Sequence, residues 1–344
     1  MAFIDEILEQ PEAIRRAVNS LAQVEDQLAP IRRRIESGDI DRIVFSGMGG
    51  SYSAGEPLLV RLNRNGKAAF GINAAELLHA RGGVLTPSTL LILATQSGES
   101  VETVNVAERW HGQATILSLT NRGDDAVSRL ADFPFAFNAG TEATVSSKTY
   151  TGTLAALALI GTALAGEDMA RTRAGLDAAI EAVAQVLQNH EAVGAQLLDA
   201  LQIDTRLMLL ARGPSMATAA NGALILKEST HIFTEGMNCG EFRHGPIEAT
   251  GPGWPTLVFL PHSNTQQLTE RLVRDLLDLS VRVVVVGPTN PDPRAGHVAL
   301  PALDADIAPI AEIVPVHILA YHLARSFGMV PGQFARMGKV TTSE

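Results

Sequence analysis

The chain has 344 residues, 46% hydrophobic and 19% charged, with a formal net charge of −10. That balance builds a globular core in one large domain or two ordinary ones, and the negative charge argues against a nucleic-acid partner. The single cysteine, Cys239, excludes a disulfide framework and a thiolate metal cluster, and no apolar run reaches the roughly 18 residues of a membrane span.

The start, MAFIDEILEQPEAIRRAV, reads as an acidic amphipathic helix rather than a signal peptide, so a cytoplasmic protein is expected. Ile4, Ile7, Leu8, Ile14, Val18, Leu21, Val24 and Leu28 recur at helical spacing, which predicts one or two helices up to about Ser37. The first strand is Arg42-Ile43-Val44-Phe45-Ser46. It runs into Gly47-Met48-Gly49-Gly50-Ser51 and a small-residue helix from Tyr52 onward. Strand, glycine-rich turn and helix together point backbone amides at an anion. A nucleotide is not specified, because the glycines miss the dinucleotide spacing and no P-loop lysine follows.

Leu90 to Ala94 is a continuous apolar strand of the parallel kind. It ends in Thr95-Gln96-Ser97-Gly98-Glu99-Ser100, ahead of a helix marked by Val101, Val104, Val106 and Ala107. These polar side chains have two readings, as helix caps or as uncharged donors for a phosphate. A cap needs one such residue, so the crowding favours the phosphate. Further strands fall at Thr115 to Leu119 and near Phe133 to Phe137. A hydroxyl-rich stretch, Glu142 to Thr149, leads into a long apolar helix through Leu164, and a helical connection runs from about Met169 to Leu201.

The pattern then restarts. The strand and turn from Arg42 to Ser51 line up with Arg206 to Ser215. The strand before Ser97 lines up with Thr256 to Leu260, and Thr115 to Leu119 with Val281 to Val286. The expected fold is α/β, two doubly wound parallel-sheet subdomains related by an internal repeat. The expected divisions are an N-terminal helical segment (1–38), a phosphate-binding subdomain (39–165), a helical connection (166–200), a second subdomain (201–330) and a tail (331–344) folding back over the active site. Arg212-Gly213-Pro214 and Pro261-His262 make the second half look the poorer one for phosphate.

Proton-transfer chemistry concentrates between Asn221 and Pro246. A helix with one apolar face ends in Lys227-Glu228, where desolvation favours a base near neutral pH. Gly240-Glu241-Phe242-Arg243-His244-Gly245-Pro246 reads as a turn presenting an imidazole beside an acid. A base and a proton shuttle suit a carbon next to a carbonyl; an ordinary ion pair is the competing reading.

These residues carry a resemblance to the SIS (sugar isomerase) family, most nearly to the isomerase half of glucosamine-6-phosphate synthases and to stand-alone SIS-type deaminases. It rests on Gly49-Gly50-Ser51-Tyr52-Ser53-Ala54-Gly55, Gln96-Ser97-Gly98-Glu99-Ser100, Leu226-Lys227-Glu228, Gly240 to Pro246 and Lys339, and it covers nearly the whole chain. It implies that Ser51, Thr95, Gln96, Ser97 and Ser100 bind the sugar phosphate and that Val145 and Ser147 contact the sugar. It also implies that Glu228 moves the proton between C1 and C2, that His244, shared across a homodimer interface, opens the ring, and that Lys339 touches the open-chain carbonyl. No metal or other cofactor is implied.

The departures are a start at Met1-Ala2-Phe3 in place of a glutaminase domain with its cysteine, Ile225 where the synthase has a lysine, and a reordered Ser146 to Thr149 run. The expectation is therefore an amino-sugar enzyme that isomerises and deaminates glucosamine 6-phosphate to fructose 6-phosphate and ammonia. A plain phosphosugar isomerase or a deglycase is the alternative, and a non-catalytic sugar-phosphate sensor is the alternative of another class.

Overall fold

The computed structural model describes residues 2–336 and 338–341, so Met337 and the last three residues of the expected tail lie outside the described residues. The first sheet is built from β1 (Arg42–Ser46), β2 (Ala69–Gly71), β3 (Thr89–Ala94), β4 (Thr115–Thr120) and β5 (Phe133–Ala136). The second holds β6 (Arg206–Ala211), β7 (Phe233–Asn238), β8 (Pro255–Phe259), β9 (Arg282–Gly287) and β10 (Gly296–Ala299). All the pairings are parallel, in the orders β2-β1-β3-β4-β5 and β10-β9-β8-β6-β7.

Read from its other edge, the second order is β7-β6-β8-β9-β10, the same as the first. β6, β8 and β9 thus occupy the places of β1, β3 and β4, as the sequence repeat requires. Three strands were not legible in the sequence: β2, β7 and β10. All are edge strands. Central strands are buried on both faces and read as unbroken apolar runs, as Thr89-Leu-Leu-Ile-Leu-Ala94 does with every residue buried. The edge strand β7 is largely half-exposed and carries Glu235 and Gly236.

The contacts divide the chain into two compact units. The first-sheet unit comprises Glu12–Thr141, Lys148–Leu176 and Arg336–Glu344; the second-sheet unit comprises Met1–Pro11, Glu142–Ser147 and Asp177–Ala335. In the first-sheet unit, Val44, Leu91, Leu93, Val106, Trp110 and Ile116 form the core on one face of the sheet. The helix Lys148–Ala165, buried almost end to end, packs against the helices Val24–Ser37 and Glu56–Arg64. There the buried guanidinium of Arg61 donates to the Ala158 carbonyl at 3.2 Å and to the Thr162 hydroxyl.

In the second-sheet unit, Met208, Leu210, Phe242, Val258, Leu272 and Val285 form the core. The helix Val314–Ser326 packs on Met216–Thr230, His190–Leu201 and Phe3–Leu8. Burial pushes His317 down to about 3, and its Nδ1 lies 3.1 Å from Gln10 Oε1. The N-terminal region forms three helices, Phe3–Leu8, Gln10–Ser20 and Val24–Ser37, rather than one or two. Among the described residues no helix is long and apolar enough to cross a membrane.

Candidate active site

In the first-sheet unit the strand order reverses between β1 and β3. In a doubly wound sheet, the carboxyl ends of two such strands flank the crevice where ligands bind. Two loops meet at this crevice. A Cβ on Gly47, just after β1, would stand 2.6 Å from the Ala94 carbonyl oxygen at the end of β3, so only glycine permits the approach. Ser51 follows in the short helix Gly49–Ser53 and is partly exposed.

Thr95 to Ser100 form the second loop. The Thr95 hydroxyl accepts the Gly98 N–H at 3.4 Å and the Ser97 hydroxyl accepts the Glu99 N–H at 3.1 Å. Each hydroxyl acts there only as acceptor, which leaves its proton for a ligand oxygen. Gly98 adopts φ +70°, and a Cβ there would collide with the Asp125 carboxylate. Ser100 occupies the N-cap of the helix Val101–Trp110 without a side-chain capping bond. Among the described residues the Ser51 and Ser100 hydroxyls and the Gln96 amide have no hydrogen-bond partner. The capping reading therefore fails for Ser100, and donors remain unspent at the crevice.

Lys339 belongs to the same unit and is half-buried. Two residues on, the Thr341 carbonyl accepts the Val101 N–H at 3.2 Å. This bond ties the tail to the first turn of the helix that Ser100 begins.

The second-sheet unit contains the other expected residues. Glu228 lies near the end of the helix Met216–Thr230, which stops at His231 in the left-handed region with φ +57°. Glu228 is half-buried. The turn to His244 is fixed from both sides. The Asn238 side chain accepts the Gly240 N–H at 2.7 Å, and Phe242 is fully buried in the core. His244 follows on the exposed side with its N–H on the Glu241 carbonyl at 2.9 Å.

Val145 and Ser147 are both fully buried in this unit. Val145 N–H donates to the Gly332 carbonyl at 3.1 Å, and Ser147 gives its N–H at 2.8 Å and its hydroxyl at 3.3 Å to Glu142 Oε1. The preceding turn is gripped by Glu6, whose buried carboxylate accepts the Ala143 N–H at 2.5 Å, the Thr144 N–H at 3.2 Å and the Thr144 hydroxyl.

Sequence reasoning passed over three buried polar groups here. Glu6 is one. Asn221, two turns ahead of Glu228 on the same helix, has neither amide atom hydrogen-bonded. Glu312, pushed up to about 7 by full burial, accepts the hydroxyls of Ser215 at 3.0 Å and Thr218 at 3.2 Å. Cys239 is a buried thiol pushed up to about 11 by desolvation, which makes it a poor nucleophile. Among the described residues no cluster of three or more His, Cys, Asp or Glu side chains is placed to hold a metal ion.

Two like-ordered parallel sheets, one with unspent donors at its switch point, define a two-subdomain α/β protein. Residues 39–163 match the SIS domain, so the chain carries a SIS domain. It is 29% identical over 360 residues to the glutamine–fructose-6-phosphate aminotransferase [isomerizing] of Thermococcus kodakarensis, across 99% of this chain and 58% of that protein. The chain thus spans little more than half the length of this curated relative.

Its fold matches the C-terminal domain of glucosamine-fructose-6-phosphate aminotransferase from Francisella tularensis, with TM-score 0.87 and 24% identity over 96% of this chain and 97% of that one. It also matches tagatose-6-phosphate ketose/aldose isomerase from Escherichia coli, with TM-score 0.80 and 18% identity over 97% and 96%.

Proposed function

We propose that this chain isomerises an amino-sugar phosphate between C1 and C2 and releases its amine, converting glucosamine 6-phosphate to fructose 6-phosphate and ammonia. The observation that carries the phosphosugar reading is the crevice at β1 and β3, where Ser51, Gln96 and Ser100 hold side chains unspent on the protein. Uncharged donors at a strand end and a helix N-terminus hold a phosphate yet let it leave. The aminated substrate is favoured by the similarity, along 99% of the chain, to a protein named for fructose 6-phosphate and amine transfer. Ile225, buried one turn before Glu228, favours a reaction other than synthesis, since an alkyl side chain can form no imine with a ketose carbonyl.

The phosphate binds Ser51, Thr95, Gln96, Ser97 and Ser100, and Val145 and Ser147 shape the sugar site. His244 takes the O1 proton and returns one to the ring oxygen, giving the open-chain aldehyde. Glu228 removes the C2 proton, Lys339 polarises the C1 carbonyl, and an enolamine forms. Return of the proton to C1 leaves an imine at C2, which water hydrolyses to the ketone with loss of ammonia. His244 is exposed in the single chain, which suits a homodimer in which it acts on the sugar bound by the other subunit.

The test is simultaneous measurement of ammonia and fructose 6-phosphate from a panel of 2-amino-sugar phosphates. Equal amounts of both products from glucosamine 6-phosphate are expected. Ketose formation from unaminated aldose phosphates, with no ammonia from any amino sugar, would replace this reading with the plain isomerase.

A further inference from the structure

We propose a second anion site, in the second-sheet unit, that takes the dianion of a phosphate or phosphomonoester. An open cleft of about 330 Å³ is lined by Arg212, Arg243, Leu268, Arg271 and Asp275. The arginines come from three separate elements. Arg212 directly follows β6, Arg243 follows the short helix Cys239–Phe242, and Arg271 lies on the helix Gln266–Asp278. Three guanidinium groups face one carboxylate in the lining, a cationic cleft in a chain whose formal net charge is −10.

Like charges converge only where something compensates them, and here the protein compensates one. Arg243 is paired with Asp275. Among the described residues Arg212 and Arg271 have neither a hydrogen bond nor an ion pair, and the Nε of Arg212 is buried without a partner. The Arg212 guanidinium lies close over the turn that leads to His244, since a Cβ on Gly240 would stand 3.3 Å from its Nη1.

The repeat gives the position further meaning. β6 occupies in the second sheet the place of β1 in the first, so Arg212 stands at that sheet's own switch point, next to β8. The first sheet meets its anion there with amides and hydroxyls, and the second meets one with guanidinium forks. Arginine forks bind phosphate oxygens in pairs, which favours a phosphate over a simple halide. The site is separate from the crevice proposed to hold the substrate, and the inference does not rest on the reaction proposed above.

Equilibrium dialysis with radiolabelled inorganic phosphate at low ionic strength tests it, on the full chain and on its Arg271→Ala, Ser97→Ala and doubly substituted forms. Arg271 is exposed, so its removal leaves the fold intact. Two phosphates per wild-type chain are expected. Arg271→Ala should weaken one of them at least tenfold and leave KM for glucosamine 6-phosphate within twofold, while Ser97→Ala weakens the other. Loss of a phosphate in Arg271→Ala alone supports the site even if Ser97→Ala changes nothing, so its fate is separate from that of the proposed reaction. The proposal is overturned if Arg271→Ala binds phosphate as the wild type does. It is equally overturned if Arg271→Ala changes the sedimentation mass with no change in bound phosphate, because the arginines would then meet an acidic segment of a second copy.

Discussion

The carbonyl of Thr341 accepts a hydrogen bond from the Val101 N–H at 3.2 Å, across 240 positions of sequence. Val101 is the first residue of its helix, where the N–H has no partner inside the helix. Proline fits that position without harm, and Ser100 already has the extended conformation, φ −63° and ψ 124°, that a following proline demands. Val101→Pro therefore deletes the tail's anchor and little else. Turnover should fall by up to roughly tenfold, matching the loss of a hydrogen bond worth about 0.5–1.5 kcal/mol, with unfolding free energy changed by less than about 1 kcal/mol. Limited proteolysis after Lys339 should speed up in the variant. Unchanged turnover would mean that the tail acts without this anchor.

Ser100→Ala distinguishes a ligand donor from a helix cap. A capping serine costs about 1 kcal/mol of stability when removed. Ser100 makes no capping bond, so its loss should leave the melting temperature in place. The same change should raise KM for the phosphorylated sugar by an amount worth about 1.5–3 kcal/mol, the range for a hydrogen bond to a charged group. Thermal melting and steady-state kinetics on one preparation give both quantities.

Glu312 gives the second-sheet unit a pH dependence of defined sign. Burial raises its folded pKa to about 7, so between its ordinary acid range and that value the folded state holds more protons than the unfolded state. Stability from this group is full below the unfolded pKa and is lost as pH rises through about 7. The loss is on the order of 3 kcal/mol. Urea denaturation should show the wild type less stable at pH 8 than at pH 5.5. Glu312→Gln keeps one acceptor oxygen for the Ser215 and Thr218 hydroxyls, puts an NH2 donor in place of the other, and has no proton to lose. It should flatten that difference and be the more stable form at pH 8.

Mixing two inactive variants tests the assembly. If His244 acts on the sugar bound by the other subunit, Glu228→Gln and His244→Ala each fail alone, yet a mixed dimer contains one intact site. Random exchange should restore about a quarter of wild-type activity. Confirmed subunit exchange with no recovery would assign the histidine to its own subunit's sugar.

What was readable in the sequence follows from burial. β1, β3, β4, β6, β8 and β9 are central or fully apolar strands, and the repeat among them was visible in the residues. The turn from Thr95 to Ser100 was also visible, because polar side chains crowd one strand end. The clamps were not. Glu6 grips Ala143 from 137 residues away, and Glu312 meets Ser215 from 97 residues away. A single glutamate in an amphipathic or apolar run gives no sign of which distant donor it will face. The arginine cleft is hidden similarly: in sequence Arg212 belongs to a turn that looks poor for phosphate and Arg243 to the turn before His244, and neither shows that Arg271 lies beside them.

The central claim is that Glu228 carries the proton at C2. The direct measurement is the exchange of that hydrogen with solvent deuterium, followed by mass spectrometry of recovered glucosamine 6-phosphate, for the wild type and Glu228→Gln. Glutamine preserves the shape and some hydrogen bonding of the half-buried side chain but accepts no proton. The account predicts label in the sugar from the wild type, none from the variant, kcat lowered by roughly 10²–10⁴-fold and substrate affinity nearly unchanged. Labelling by Glu228→Gln at the wild-type rate would contradict it.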